Sequence, residues 1–238
     1  MIKNSESSWI SFSDLMTALM VIFMFIAISY ISEVEKEKDK VEIILNDFQN
    51  TKDSLLVDLK NEFSKDFQDW NVEMDDNLSI KFTNPDILFA KGKKNLRPKF
   101  REVLDSFLPR YFNILLSDQY RSKILEIRIE GHTDKSTAWA YDKDPYISNI
   151  MLSQERSTEV LKYFKDSDYY NNLSQNYKSQ LLFMLTSNGL SFGRMLDNDK
   201  ELVEVTKNEP NDIYSRRVEF KIVTRTEEAF DEILKQLK

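Results

Sequence analysis

The stretch "KILEIRIEGHTD" (Lys123–Asp134) alternates apolar with charged residues from Leu125 to Glu130 and then breaks at Gly131. Period two is the signature of a strand with one buried face. The break puts His132, Thr133 and Asp134 on a loop just past the strand's end. Working outward, "NLSIKFT" (Asn77–Thr83) alternates in the same way and is stopped by "NPD". A helix is expected from Pro98, where proline suits a first turn, with Pro109 as a point where it kinks or ends. "LSQERSTEVLKYF" (Leu152–Phe164) reads as an amphipathic helix with Ser153 as its N-cap and Arg156 in its first turn. "RRVEFKIV" (Arg216–Val223) is a further strand, and "EEAFDEILKQLK" (Glu227–Lys238) a terminal helix. Ser174–Leu196 fits helix and strand equally. Strands alternating with helices predict an α/β sandwich.

The groups able to do chemistry stand at the ends of these elements. Asp134 follows one strand, Arg156 opens the next helix, and Arg216 and Arg217 open a later strand. A carboxylate and guanidinia converging at one sheet edge suit a zwitterion, with Asp134 holding an ammonium and arginine a carboxylate. The plainer alternative is a structural Asp–Arg pair. His132 is expected to be a hydrogen-bonded structural residue.

Composition removes many function classes. The net charge is -7, with no Lys/Arg run of the kind direct nucleic-acid binding needs. Four glycines leave no glycine-rich phosphate loop. One histidine and no cysteine supply little for zinc. No paired acids stand in a hydrolase motif. The expectation is a non-enzyme without metal or cofactor.

Upstream, "SWISFSDLMTALMVIFMFIAISYIS" (Ser8–Ser32) carries one charge, Asp14. A helix over Trp9–Ile31 spans roughly 34 Å, enough to cross a ~30 Å hydrocarbon core, with Trp9 and Tyr30 at the two interfaces. A signal peptide is the rival reading, but only Lys3 precedes the apolar run and Glu6 offsets it. Asp14 is either the N-cap of a shorter helix or a carboxylate inside the hydrocarbon. There a charge costs about 2.5–3.5 kcal/mol on insertion scales and such residues usually serve ions. Thr17, at i+3, presents a hydroxyl on the same face. From Glu33 the chain is highly charged yet keeps a helical stripe, including Val41, Ile44, Phe48, Leu55, Leu59 and Phe63. Pairing of two copies as a parallel coiled coil is preferred over packing on the chain's own domain. The expected organisation is 1–8 an N-terminal segment, 9–32 a membrane helix, 33–76 a helical connector and 77–238 the α/β domain.

The run "SDLMTALMVIFMFI" resembles the membrane helix of MotB-type stator subunits. That likeness implies an ion-driven motor in which Asp14 is the ion-binding carboxylate. "EGHTD", "NIMLSQERS" and "SRRVEF" resemble, in order, the three motifs of the OmpA-like peptidoglycan-binding domain, and the likeness runs from about Leu78 to Val223. In that family the motif Asp and Arg clasp the diaminopimelate of the stem peptide; here these are Asp134 and Arg156. Asn149 falls on the motif asparagine and Arg216–Arg217 on its arginine pair. Ser157 and Ser215 depart from the usual residues, and "KSTAWAYDKDPYIS" makes a longer loop. The short segment before Asp14 and the altered loops look most like the B subunits of Zorya anti-phage defence systems. This implies two B chains, a homodimer, within five MotA/ZorA-like channel subunits. The ion expected is H+, with Na+ as the alternative. Lys36, Lys38 and Lys40 would by themselves keep the C-terminal domain cytoplasmic. The wall-binding likeness argues for the reverse: an inner-membrane protein with a cytoplasmic N-terminus and a periplasmic domain. A flagellar-type stator and a non-conducting wall anchor are the alternatives.

Overall fold

The computed structural model describes residues 5–136 and 141–225, so the helix expected at Glu227–Lys238 lies outside the described residues. The chain divides between Asp47 and Phe48 into two units.

Helix α1 runs Ser5–Phe63, through a sequence with no glycine or proline. Asp14 lies inside this helix and is therefore not its cap. In the first unit the apolar residues from Phe12 to Ile31 face outward on all sides, Met20 at 69 % and Phe25 at 60 % exposed. An all-round apolar helix without a protein core to bury it is suited to lipid. By length and mean hydropathy, 2.3 over its most apolar window, α1 is able to cross a membrane.

In the second unit the last turns of α1 become part of a globular core. Leu55, Leu59 and Phe63, at i, i+4 and i+8, are fully buried. The expected coiled coil is therefore corrected over Leu55–Phe63: these side chains are spent on the chain's own domain. The fit is specific. Arg110 pairs with Glu62 at 2.6 Å and Asp66 at 2.8 Å, while its guanidinium lies 4.7 Å over the Phe63 ring. Tyr120 donates to Asp58 at 2.6 Å.

The strands are β1 (Val72–Met74), β2 (Ser79–Phe82), β3 (Ile124–Gly131), β4 (Leu185–Gly189) and β5 (Val218–Thr224). They form one sheet in the order β1-β2-β5-β3-β4, antiparallel except for the β3–β4 pair. Register separates the sheet's faces. Ile80 pairs with Phe220 and Ile129 with Phe220 from the other side, giving an apolar face. Lys81 and Glu130 both pair with Glu219, giving a polar one.

The apolar face is covered by helices α2 (Pro98–Leu115) and α3 (Pro145–Asp166). Phe107 of α2 sits 5.1 Å from both Phe82 and Phe220, and Phe112 stacks on Phe164 of α3 at 4.1 Å. Pro109 neither ends α2 nor stops its buried stripe. The bond it forfeits would run to the carbonyl of Asp105, on the solvent side. The N-cap of α3 is Asp144, whose carboxylate accepts from the amides of Tyr146 and Ile147, not Ser153. Asp-Pro is a stronger start signal than an internal serine, so Arg156 lies well inside the helix. The ambiguous segment is both things in turn: α4 (Gln175–Met184) and then β4.

Candidate functional site

Two glycines decide how closely α3 lies on the sheet. A Cβ on Gly131 would stand 2.2 Å from the Ser153 carbonyl oxygen, and one on Gly189 would stand 2.4 Å from the Gln154 amide nitrogen. Both contacts are with helix backbone, so only glycine permits this approach. The stripe that α3 buries is matched to it: Ser148, Asn149, Ser153 and Ser157 lie at the glycine end, Val160 and Phe164 at the core end. Close approach at the carboxyl ends of β3 and β4 brings Asn149 and Arg156 up to the loop that carries Asp134.

There a cavity of about 210 Å³ opens, and Asp134, Asn149, Arg156, Arg216 and Arg217 all line it. Their roles differ. Asp134 is buried; one carboxylate oxygen accepts from the amide and hydroxyl of Ser136, and the other lies 3.4 Å from Arg216. Asn149 donates to the carbonyls of Ser136, at 3.3 Å, and Pro145, at 2.9 Å. It braces the Asp134 loop from beneath. Arg156 donates through Nε to the Lys93 carbonyl at 3.0 Å, and its guanidinium lies 5.0 Å over the Phe89 ring. Burial pushes its pKa down to about 10, with Asp134 pulling upward and Arg216 downward, so it remains a cation at neutral pH. Among the described residues no carboxylate pairs with it.

Arg216 and Arg217, adjacent in sequence, part company. Arg216 faces the cavity beside Asp134, and its Nε is buried without a hydrogen-bond partner among the described residues. Arg217 is turned under the sheet, where Glu219 takes its Nε and the carbonyls of Arg194 and Ser215 take Nη1 at 3.0 and 3.3 Å. It holds the frame. Burial alone would raise the Glu219 carboxyl, but Arg217, His132 and Lys81 outweigh it and hold its pKa near 2.

His132 is buried with Nε2 3.6 Å from Glu130 and from Glu219. Neither ring nitrogen has a hydrogen-bond partner among the described residues, so the bonded histidine expected from sequence is replaced by a looser, electrostatic seat. Burial, and then Arg217, push its pKa down. Glu130, His132 and Glu219 lie close enough to share an ion. The two carboxylates, however, already face Arg194 and Arg217, which supply the compensating charge. The hydroxyl of Thr133, a cavity-lining residue, is likewise buried without a partner.

The two departures from the motif serve the frame. Ser157 bonds across to Ser187 of β4 at 2.9 Å, and Ser215 accepts from the Leu196 amide at 3.1 Å. In the first unit the Thr17 hydroxyl donates to the Ser13 carbonyl at 2.9 Å. Residues 137–140 of the long loop lie outside the described residues. Sequence reasoning missed the two glycines and the basic lip Lys91–Arg97; the acid-free run of lysines was the available signal for the second.

The chain thus joins an apolar helix long enough to cross a membrane to an α/β domain that carries an acid–arginine cavity. The chain is 39 % identical over 232 residues to Zorya protein ZorB of Escherichia coli, covering 96 % of this chain and 92 % of that one. It is 26 % identical over 220 residues to Zorya protein ZorB of Escherichia coli O139:H28, covering 90 % and 79 %. Among solved structures, the periplasmic domain of Helicobacter pylori MotB is similar at 15 % identity and TM-score 0.43, covering 70 % of this chain and 85 % of that one. No protein-family model matches. The chain belongs to the ZorB family.

Proposed function

We propose that this chain is the B subunit of an ion-driven rotary motor in Zorya anti-phage defence. Two copies stand within a ring of five A-type channel subunits, with α1 crossing the inner membrane, the N-terminus cytoplasmic and the sandwich domain periplasmic. Asp14, helped by Thr17, takes a proton from one side, loses contact with a ring subunit as it is neutralised, and re-engages the next on release. Protons are the preferred ion over sodium, and no cofactor takes part. The sandwich domain grips the cell wall without catalysis: Asp134, with Arg216 beside it, receives the ammonium and Arg156 one carboxylate of the stem-peptide diaminopimelate. Asn149 and Arg217 hold that clasp in place.

The observation that carries the motor reading is Asp14, the one charged side chain between Trp9 and Ser32, inside the helix and exposed. A tether alone has no use for a carboxylate that costs about 2.5–3.5 kcal/mol to insert. The test is phage plating on cells carrying the native gene cluster, comparing Asp14→Asn with wild type at matched protein levels. Loss of protection supports conduction through Asp14. Retained protection would make the chain a non-conducting wall anchor.

A further inference from the structure

The stretch Lys91–Lys99 holds five cations, Lys91, Lys93, Lys94, Arg97 and Lys99, and no acid. It folds into a lip over the cavity. Phe89 bridges Leu96, the Arg97 amide bonds the Leu88 carbonyl at 3.1 Å, and the Lys93 amide closes a turn onto Ala90 at 2.9 Å. Arg156 pins the lip to α3 through the Lys93 carbonyl.

Its cations divide by partner. Lys94 is paired with Glu155 at 3.1 Å and Lys99 with Glu102 at 3.3 Å. Lys91 and Arg97, the two that line the cavity, have no carboxylate within 4.0 Å among the described residues. Of the wall's other cations, Arg216 faces Asp134 and Arg217 faces Glu219. That leaves Lys91, Arg97 and the buried Arg156 without a protein anion. A ligand with a single carboxylate answers only one of the three.

We infer that the cavity selects stem peptides by their free carboxylates, with Lys91 and Arg97 taking acidic groups beyond the one held by Arg156. The preferred ligand is the unamidated peptide, in which the D-glutamate α-carboxyl and both diaminopimelate carboxyls are ionised. Amidation at these positions removes the charges the lip reads. This deepens the wall-binding reading above and rests on it.

The test uses the full chain in detergent micelles and calorimetric titration with two synthetic tripeptides, L-Ala-γ-D-Glu-meso-diaminopimelate and the same peptide amidated at the glutamate α-carboxyl and the ε-carboxyl. Two partly exposed ion pairs predict about tenfold tighter binding of the free acid. The preference should vanish in the double variant Lys91→Gln/Arg97→Gln, which melts like wild type because both side chains are exposed. Equal affinities in wild type, or a preference that survives the double variant, would overturn the inference while leaving wall binding standing. Binding of neither peptide would overturn both. Arg156→Ala should lose both ligands, which keeps the clasp separate from the lip.

Discussion

Two aspartates, 120 positions apart in one chain, illustrate two ways of keeping a carboxylate. Asp134 is buried and supplied by its own domain with a serine turn, a bracing asparagine and a facing arginine. Asp14 stands exposed on α1, with no hydrogen bond or ion pair among the described residues. A carboxylate in an apolar setting needs a partner or must give up its charge. For Asp134 folding supplies the partner. For Asp14 folding supplies none among the described residues, and in the function proposed above the partner is a channel subunit or the transported ion. The surroundings of Asp134 are finished by folding; those of Asp14 are not.

The largest expected effect follows from that contrast. Asp14→Asn should abolish phage protection yet leave the melting of the sandwich domain unchanged, as exposed substitutions usually move stability by no more than about 0.5 kcal/mol. A lowered melting temperature in micelles would break the comparison. At Gly131 the reverse is expected. Gly131→Ala places a methyl 2.2 Å from helix backbone, and the resulting overpacking should destabilise by about 3 kcal/mol, with binding lost through displacement of α3. Thermal melts of the full chain read it. Leu59→Ala, in the stretch of α1 that joins the core, should cost about 2–5 kcal/mol. A value near zero would return that stretch to the coiled-coil reading.

The smallest effect concerns pH. The folded pKa of Glu219 lies near 2 against an ordinary 4.5. A depressed carboxyl contributes stability that is complete above 4.5 and lost as pH falls toward 2. Melting temperature should therefore decline through that window. Glu219→Gln should be less stable at neutral pH and show a flatter decline; an unchanged slope would mean that the Arg217–Glu219 pair does not titrate with unfolding.

Much of this was legible in local pattern. The strands at Asn77–Thr83, Lys123–Gly131 and Arg216–Val223 announced themselves by alternation, because a sheet with one apolar and one polar face demands it. Asp134 stood just past a strand's end, where loops gather, whereas Arg156 lies well inside α3 and not at its start. Other features were not legible. A stripe at three- and four-residue steps serves a coiled coil and a domain core equally, and nothing local separates Leu55–Phe63 from a dimer seam. Arg216 and Arg217 look interchangeable as neighbours; the sheet's polar face, closed by Glu219, separates a cavity-facing arginine from a framework one. Ser153 has the chemistry of a cap, yet Asp144–Pro145 upstream started the helix first.

The sequence by itself determined three of the five strands and the long helices, that one helix is apolar all round with a single carboxylate, and which few acids and bases were available for a site. Those are properties of periodicity and transfer energy, written residue by residue. Only the tertiary structure decided which cations lack an anion, which arginine faces the cavity and which the framework, and how near α3 lies to β3 and β4. These depend on distances between elements remote in sequence, and here two glycines set those distances by what they leave out.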